Sequence, residues 1–525
     1  MQSLPTTNLA TELTPEQAQV MLWVLEGKGH AVVIARAGTG KTWTALQAIR
    51  HMLPGTVTMA MFNADIALET RHKLAKDGIK AWSTTFHAAG WSALLRAYPE
   101  VKLSGIGPKL AGYDKWTVIV EQLEIPEMYR AFARKAVSMA KQRAFGIACR
   151  MSDPVEWLKI VEDFDLDTLI SAETLDSGLK PREDFIKDGL QWAFKALKLS
   201  NELLNTVADH DDQIYGPLIR DLKMFENDWL IIDEAQDSNA CRRLLARKML
   251  KRNGRALFVG DPMQGIYSFA GADNGAMDTI IKEWNATVLK LTMTFRCPKV
   301  VVQMAQQFVP DYRAAPSNPD GEYRAISKDD FYKTIARTLT PDTIILCRNT
   351  APLVQAAFRL IGLGVSCKVV GKDIGGDIIG LMTRWRSIKT LPTLRERLQK
   401  HLDTMTEKLL GVKKERQAES LNDRVETVFA VMDGLPAGAT LDDLKTKVDA
   451  LFEKAAKGEQ EKKRVRLMTM HRAKGLEEDT VVILGRRELL PSKFAKSPDQ
   501  LQQERNLEYV ALTRPRRRLI DVAID

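Results

Sequence analysis

The sequence predicts an α/β protein built from two parallel-sheet cores, each interrupted by a helical insertion. Three observations carry this. Short apolar runs rich in β-branched residues recur along the chain without polar alternation, as strands buried on both faces do. Helical patterns separate them, which makes parallel pairing the expected arrangement. The runs form two sets divided near residue 290, and each set is broken by a long stretch of helical pattern.

Taken in order, residues 31–36 (AVVIAR) read as a strand, followed by a Gly-rich turn and the helical pattern TALQAIRHML. WLIIDEAQD at 229–237 and ALFVGD at 256–261 read as further buried strands of the same core, and TIILCR (343–348) and TVVILG (480–485) as strands of the second. Residues 96–205 are helical in pattern, with Trp116, Trp157 and Trp192 as packing anchors. Residues 376–461 are helical and rich in charge, and Lys413, Lys414 and Arg416 there are read as a solvated face. The expected boundaries are a first core at 1–95 and 206–290 around an insertion at 96–205, and a second core at 291–375 and 462–525 around a short insertion at 376–461.

Composition sets outer limits. The 525 residues are too many for one compact core. A hydrophobic share of 45% and a charged share of 27% are those of an ordinary globular protein, and the net charge of +9 favours a polyanionic partner without naming one. Cys149, Cys241, Cys297, Cys347 and Cys367 are scattered, with no C-x-x-C pair, which excludes a disulfide framework or a zinc cluster and fits a reducing compartment. The first residues lack the pattern of a signal peptide, and no apolar run approaches the roughly 18 residues that span a bilayer, so a cytoplasmic protein without a membrane partner is expected.

The chemistry begins at residues 35–42, ARAGTGKT. Small residues at Ala35, Ala37, Gly38 and Gly40, with Arg36 and Thr39 between them, let a backbone curl until its N–H groups face phosphate oxygens. Lys41 then neutralises the outer phosphates of a bound nucleotide, and the Thr42 hydroxyl ligates Mg²⁺. The pair Asp233–Glu234, at the end of a buried strand, supplies the rest: Asp233 to hold Mg²⁺ through water, Glu234 to orient and deprotonate the attacking water. ATP and Mg²⁺ are therefore the expected cofactors. Tyr267 and Phe269 alternate along an extended segment close to Gln264, so both face one side and suit base stacking.

With these residues in hand, the chain resembles the superfamily 1A DNA helicases of the UvrD/Rep/PcrA type. The resemblance covers both cores in the family's motif order: LTPEQ (13–17), AMFNADIA (60–67), TTFH (84–87), DEAQD (233–237), VGDPMQGIYSFAGA (259–272), TFRCP (294–298), ILCRNT (345–350), LMTMHRAKGLE (467–477) and ERNLEYVALTR (504–514). Several motifs are also similar in wording to F-box DNA helicases and small phage-encoded relatives. The resemblance implies two RecA-like cores of a P-loop NTPase. It implies that Gln17 reads the adenine edge, Phe295 stacks on adenine, Glu477 holds the ribose, Gln264 senses the γ-phosphate, and Arg296 and Arg514 act on it as arginine fingers. It implies that Phe62, Asn63, Thr85, Phe86 and His87 from the first core, and Arg348, Asn349, Thr469 and His471 from the second, line a groove for single-stranded DNA. Arg516, Arg517 and Arg518 read as a solvated or DNA-facing run.

The implied partners are single-stranded DNA and its junctions with duplex, in the contexts of replication, repair or recombination, with movement 3′ to 5′. A strand-bound motor that strips proteins without unwinding uses the same parts and is the alternative. Three departures from the group stand out: the short insertion at 376–461, Ala64 where lysine is common, and Arg36 where glycine is frequent.

Overall fold

The computed structural model describes residues 13–104, 114–170, 180–266, 271, 273, 275–385, 388–411, 415–452 and 464–524. By contact the chain divides into two compact units, Met1–Ala35 with Gly40–Leu291, and Arg36–Thr39 with Thr292–Asp525.

The first unit is built on a six-stranded sheet. Its strands are β1 (Ala31–Ala35), β2 (Val57–Met61), β3 (Trp82–Thr85), β4 (Asn227–Ile232), β5 (Leu250–Gly260) and β6 (Thr287–Leu291), in the spatial order β3-β2-β4-β5-β1-β6. Every pairing is parallel, so all six C-terminal ends lie along one edge. Side chains alternate between faces with period two. Ala31, Val33, Ala35, Met59, Met61 and Leu257 pack on one face with Val20, Trp23, Leu46 and Ile49, from helices Pro15–Glu26 and Lys41–Met52. Val32, Ala60, Ile232 and Phe258 face the other way, into a core shared with Phe132, Trp157 and Tyr215. The apolar runs lack polar alternation because both faces are covered.

Helices Lys115–Leu123, Glu127–Gln142, Pro154–Asp163 and Arg182–Glu202 occupy the long interruption between β3 and β4. Trp157 is buried there, and Trp116 and Trp192 pack partly buried against the same core. A charge network ties these helices to helix Asp212–Ile219. Lys115 Nζ donates to Asp212 at 2.6 Å, and Lys141 Nζ lies 2.6 Å from Asp209 and 2.7 Å from Asp212. Lys115, Lys141 and Asp212 are at most 1% exposed. Burial alone would depress the Lys141 ammonium, but Asp209 and Asp212 outweigh it and hold its pKa above the usual value.

The second unit repeats the plan with β7 (Glu322–Ile326), β8 (Thr343–Cys347), β9 (Cys367–Val369), β10 (Val465–Thr469), β11 (Glu478–Leu484) and β12 (Pro515–Val522), again all parallel, in the order β7-β12-β11-β8-β10-β9. Ile345, Cys347, Leu467, Val482 and Ile520 pack with helix Thr350–Gly362 and with apolar residues of helices Leu391–Gly411, Glu415–Asp433 and Leu441–Leu451. Two parallel-sheet cores with helices inserted in each is the expected fold class. Lys413, Lys414 and the Arg416 side chain lie outside the described residues. Among the described residues no helix is long and apolar enough to cross a membrane.

Removing one member of a fully buried ion network leaves its partners charged in a low-dielectric interior. Asp212→Ala is therefore expected to lower the unfolding free energy of the first unit by about 3–5 kcal/mol, read from urea denaturation. A loss below about 1 kcal/mol, the scale of an exposed pair, would contradict the network's role.

Candidate functional site

In the first sheet β4, β5 and β1 are neighbours, and their C-terminal ends carry the predicted chemistry side by side. β1 leads into the phosphate loop. Gly40, with φ 77° and ψ 33°, makes the left-handed turn into helix Lys41–Met52 that a side chain would resist. On that helix's first turn, Lys41 Nζ lies 3.3 Å from Glu234 Oε1, and the Thr42 hydroxyl donates to Asp233 Oδ2 at 3.3 Å. β4 ends in Asp233 and Glu234. Glu234 holds a left-handed backbone, φ 52°, which costs a non-glycine residue on the order of 1 kcal/mol. Burial alone would depress the Lys41 ammonium, but Glu234, Asp233 and Asp261 outweigh it and keep it charged. Burial, reinforced by Glu234, pushes the Asp233 carboxyl up to about 6, against the pull of Lys41. Two carboxylates and one ammonium in this space form a site short of positive charge.

β5 supplies the third end. Gly260 closes it because no side chain fits: a Cβ would sit 2.4 Å from Gln236 Oε1 and 3.1 Å from the Ala235 nitrogen. The next residue, Asp261, donates its N–H to Gln236 Oε1 at 3.0 Å and accepts from Gln264 Nε2 at 2.8 Å. The Gln236 amide nitrogen in turn donates to Glu234 Oε2. A chain of hydrogen bonds thus runs from the water-orienting carboxylate through Gln236 and Asp261 to Gln264. Sequence reasoning named its two ends and missed Gln236 and Asp261, although both stand inside quoted motifs.

Gln17 is buried beside the loop. It closes a capping box with Thr14 and donates from Nε2 to Thr44 Oγ1 at 3.3 Å, and a Cβ on Gly40 would meet that nitrogen at 3.6 Å. Trp43, also missed, is 40% exposed on the first helical turn beyond Lys41, an aromatic side chain open to solvent close to the phosphate loop.

In the second unit the two predicted arginines differ. Arg514 is 1% exposed and donates only to uncharged oxygens: Val510 O at 2.8 Å, Leu476 O at 3.1 Å and Thr513 Oγ1 at 3.0 Å. Burial, with the nearby Arg296 charge, lowers its pKa to about 10. Arg296 pairs with Glu477, which also accepts from Arg516 at 2.7 Å, so the carboxylate expected on a ribose links two guanidiniums here. Phe295 is 50% exposed. Arg36–Thr39 group with this unit: Arg36 Nε pairs with Asp311 at 2.9 Å, the Tyr312 hydroxyl donates to Ala37 O at 2.7 Å, and Ala37 N donates to the Tyr509 hydroxyl at 3.1 Å. Arg516 and Arg517 are exposed, in keeping with a solvated run, and Arg517 and Arg518 also face Asp479 and Glu322.

The expected strand contacts differ in exposure and in their partners. Phe62 is 38% exposed. The Asn63 side chain caps helix Ala64–Lys76, and the Thr85 side chain caps helix Phe86–Ala97. Phe86 is 7% exposed and packs with the core, and it also lines the narrow cleft that holds Phe62 and His87. Arg348 is also reassigned. It grips Glu504 with Nε at 3.0 Å and Nη2 at 2.9 Å, and Glu419 at 3.0 Å, which occupies the guanidinium with protein carboxylates. Asn349 stands at the N-cap of helix Thr350–Gly362 without a side-chain cap bond; the Asp423 carboxylate accepts from Thr350 N at 2.8 Å and Ala351 N at 3.1 Å in its place. Thr469 ends β10, and His471 lies half-buried in the turn Met470–Ala473. Tyr267 and Phe269 lie outside the described residues.

His87 stacks on His210, ring centroids 4.0 Å apart. Burial, with His210 and Arg242 adding to it, lowers the His87 pKa from 6.5 to about 3. Unfolding frees the ring to titrate near 6.5, so between pH 6.5 and 3 the unfolded chain binds the extra proton and stability falls as pH falls. His87→Asn is expected to flatten that limb, by on the order of 1–2 kcal/mol at about pH 5, in denaturation curves measured across pH. An unchanged slope would show that the ring is free to protonate when folded.

Comparison with known proteins bears on the whole arrangement. Residues 13–285 match the model of the UvrD/REP helicase N-terminal domain, and residues 324–523 that of the UvrD-like helicase C-terminal domain. The ATP-dependent DNA helicase UvrD2 of Mycobacterium tuberculosis is 24% identical over 94% of this chain and 76% of its own length. The DNA helicase II of Haemophilus influenzae is 21% identical over 94% of this chain and 81% of its own, and the ATP-dependent DNA helicase PcrA of Bacillus subtilis 22% over 69% and 51%. The matched stretches take in the phosphate loop, the Asp233–Glu234 turn, Gln264 and Arg514, and the chain belongs to the UvrD/REP helicase family, as an ATP-hydrolysing DNA helicase of superfamily 1A.

Proposed function

We propose that the chain is a single-strand DNA translocase that moves 3′ to 5′ and couples ATP hydrolysis to duplex unwinding, acting in the cytoplasm on single strands and their junctions with duplex. The observation that carries the reading is the row of strand ends in the first unit: a phosphate loop, a water-orienting carboxylate and a sensor glutamine joined by hydrogen bonds. The relatives' names supply the polymer, DNA.

Thr42 and Asp233 suit Mg²⁺: both offer hard oxygen donors, and the Asp233 carboxyl is buried among negative charge that a cation relieves. Among the described residues no group of three or more His, Cys, Asp or Glu side chains forms a metal cage, which fits a cation that arrives with phosphates and water filling its remaining positions. When bound, Mg²⁺ offsets the charge of the β- and γ-phosphates.

The chain's own residues do the rest. The loop N–H groups and Lys41 hold the phosphates, while Gln17, Phe295 and the face of Trp43 suit the base. Glu234 takes the proton from the attacking water, and Gln236 fixes the carboxylate that does so. Arg514, buried without a carboxylate partner, gains most from meeting a phosphoryl group, because the desolvation it suffers is offset only by an anion. Arg296, released from Glu477, adds a second positive charge. Differential affinity for ATP and ADP converts the hydrolysis cycle into stepping along the strand. A motor that strips proteins from single strands without unwinding would use the same residues.

Lys41→Ala is expected to lower ATP hydrolysis by more than about 100-fold while single-strand affinity stays within about threefold; strand-stimulated hydrolysis retained in that variant would refute the site. Gln236→Leu is expected to lower kcat by about 10–100-fold with little change in KM for ATP, and an unchanged kcat would remove Gln236 from the mechanism. Displacement of a labelled strand from duplexes with 3′ or 5′ tails separates the readings: release from the 3′-tailed substrate alone supports unwinding with the proposed polarity, and removal of a bound protein block without strand release supports the stripping motor.

A further inference from the structure

Helix Ala240–Lys248 begins just beyond the Asp233–Glu234 turn and carries arginines in contrasting surroundings. Arg243 is bound to Asp273 and Glu283. Its neighbour Arg242 forms none of the ion pairs found among the described residues. Its Nη1 donates to the backbone carbonyl of Asp237 at 2.8 Å, and its guanidinium carbon sits 5.3 Å from the centre of the Phe62 ring. Burial lowers its pKa, a sign that its surroundings do not repay the desolvation of the charge.

Arg242 also stands where two spaces meet. One is a narrow cleft lined by Phe62, His87, Asp233 and Glu234. The other is a cavity of about 210 Å³ lined by His87, Lys141, His210 and Asn239. Asp237 and Asp211 lie near enough to favour its charge, but among the described residues neither pairs with it. A half-buried guanidinium bonded to a carbonyl and set against a ring, bordering open space, fits an anion from outside the protein. Asp233 and Glu234 on the cleft's other side do not fill that role, because Thr42 and Lys41 engage them.

We propose that Arg242 binds a backbone phosphate of the single strand, in the cleft that it shares with Phe62 and His87. This rests on the reading of the chain as a single-strand motor. The consequence is a short route for information: a phosphate drawn to Arg242 pulls on the Asp237 carbonyl, and Asp237 lies three residues beyond Glu234 on the same turn. Strand occupancy would then be felt at the group that activates water. No motif quoted above includes this arginine.

The test is anisotropy of a fluorescein-labelled oligothymidine of about 16 nucleotides, titrated with wild type, Arg242→Gln and Arg242→Lys over a range of salt. Arg242→Gln is expected to weaken binding about tenfold near physiological salt and to reduce the slope of log affinity against log salt by about 0.7, one phosphate contact on a single strand. Arg242→Lys should restore the slope and only part of the affinity, since a point charge replaces a fork. Wild-type affinity and slope in Arg242→Gln would overturn the proposal, and so would weaker binding with an unchanged slope, which marks an arginine that only props Phe62. A second measurement needs no variant: phenylglyoxal modification of Arg242, mapped by mass spectrometry, should fall at least fivefold when the oligothymidine saturates the wild-type protein, and equal modification with and without strand overturns the proposal. Failure of the wild-type protein to bind the oligothymidine at all would instead sink the motor reading itself.

Discussion

Gln236 bonds in two directions, and the arrangement of the active edge depends on it. Its amide nitrogen reaches Glu234 at the end of one strand, and its oxygen receives the Asp261 N–H at the end of the next. A side-chain amide can donate and accept at once from one fixed plane. A carboxylate in its place would repel Glu234, and an aliphatic residue would leave both partners unsatisfied in a buried setting. Gly260 is the price of the arrangement, because the strand must come within touching distance of this amide. The backbone strain at Glu234 belongs to the same geometry: the turn that aims the carboxylate at Lys41 is one that ordinary residues avoid.

The second unit shows how charge is sorted by use. Arg348 and Arg486 are each bound to two carboxylates and serve as ties between elements. Arg514 is the more deeply buried and has only carbonyl and hydroxyl oxygens around it. In a low-dielectric interior the first situation is content and the second is not. The same contrast separates Arg243 from Arg242 in the first unit. A guanidinium without a carboxylate is therefore the more informative of the two kinds, since it marks where an anion from elsewhere is welcome.

Much of this was legible in the residues. Unbroken apolar runs such as AVVIA, WLII, TIILC and TVVIL gave strands buried on both faces, because coverage from both sides removes the alternation that an exposed face imposes. The phosphate loop and the carboxylate pair were legible because their chemistry tolerates few substitutes. Edge strands such as Trp82–Thr85 and Thr287–Leu291 were not singled out, since their exposed positions dilute the apolar signal. Arg348 was read as a strand contact because its partner Glu504 lies 156 residues away, a pairing that no local pattern reveals. The burial of Phe86 was hidden for a related reason: an aromatic at the mouth of a helix points in or out according to tertiary packing alone. Gln236 went unnoticed because a polar residue beside two singled-out carboxylates carries no pattern of its own, and Arg242 because it stands outside every motif.

The paired lysines and aspartates beneath the first unit's inserted helices have a further meaning. Asp209 and Asp212 bond each other's backbone N–H groups while facing Lys115 and Lys141, so the four side chains satisfy one another in a closed circle. Peeling away one helix would maroon a bare charge in a dry interior, which no partial loosening can afford. The inserted helices are therefore tied to one another by charge as well as by packing, which favours their loosening together over their loosening one at a time.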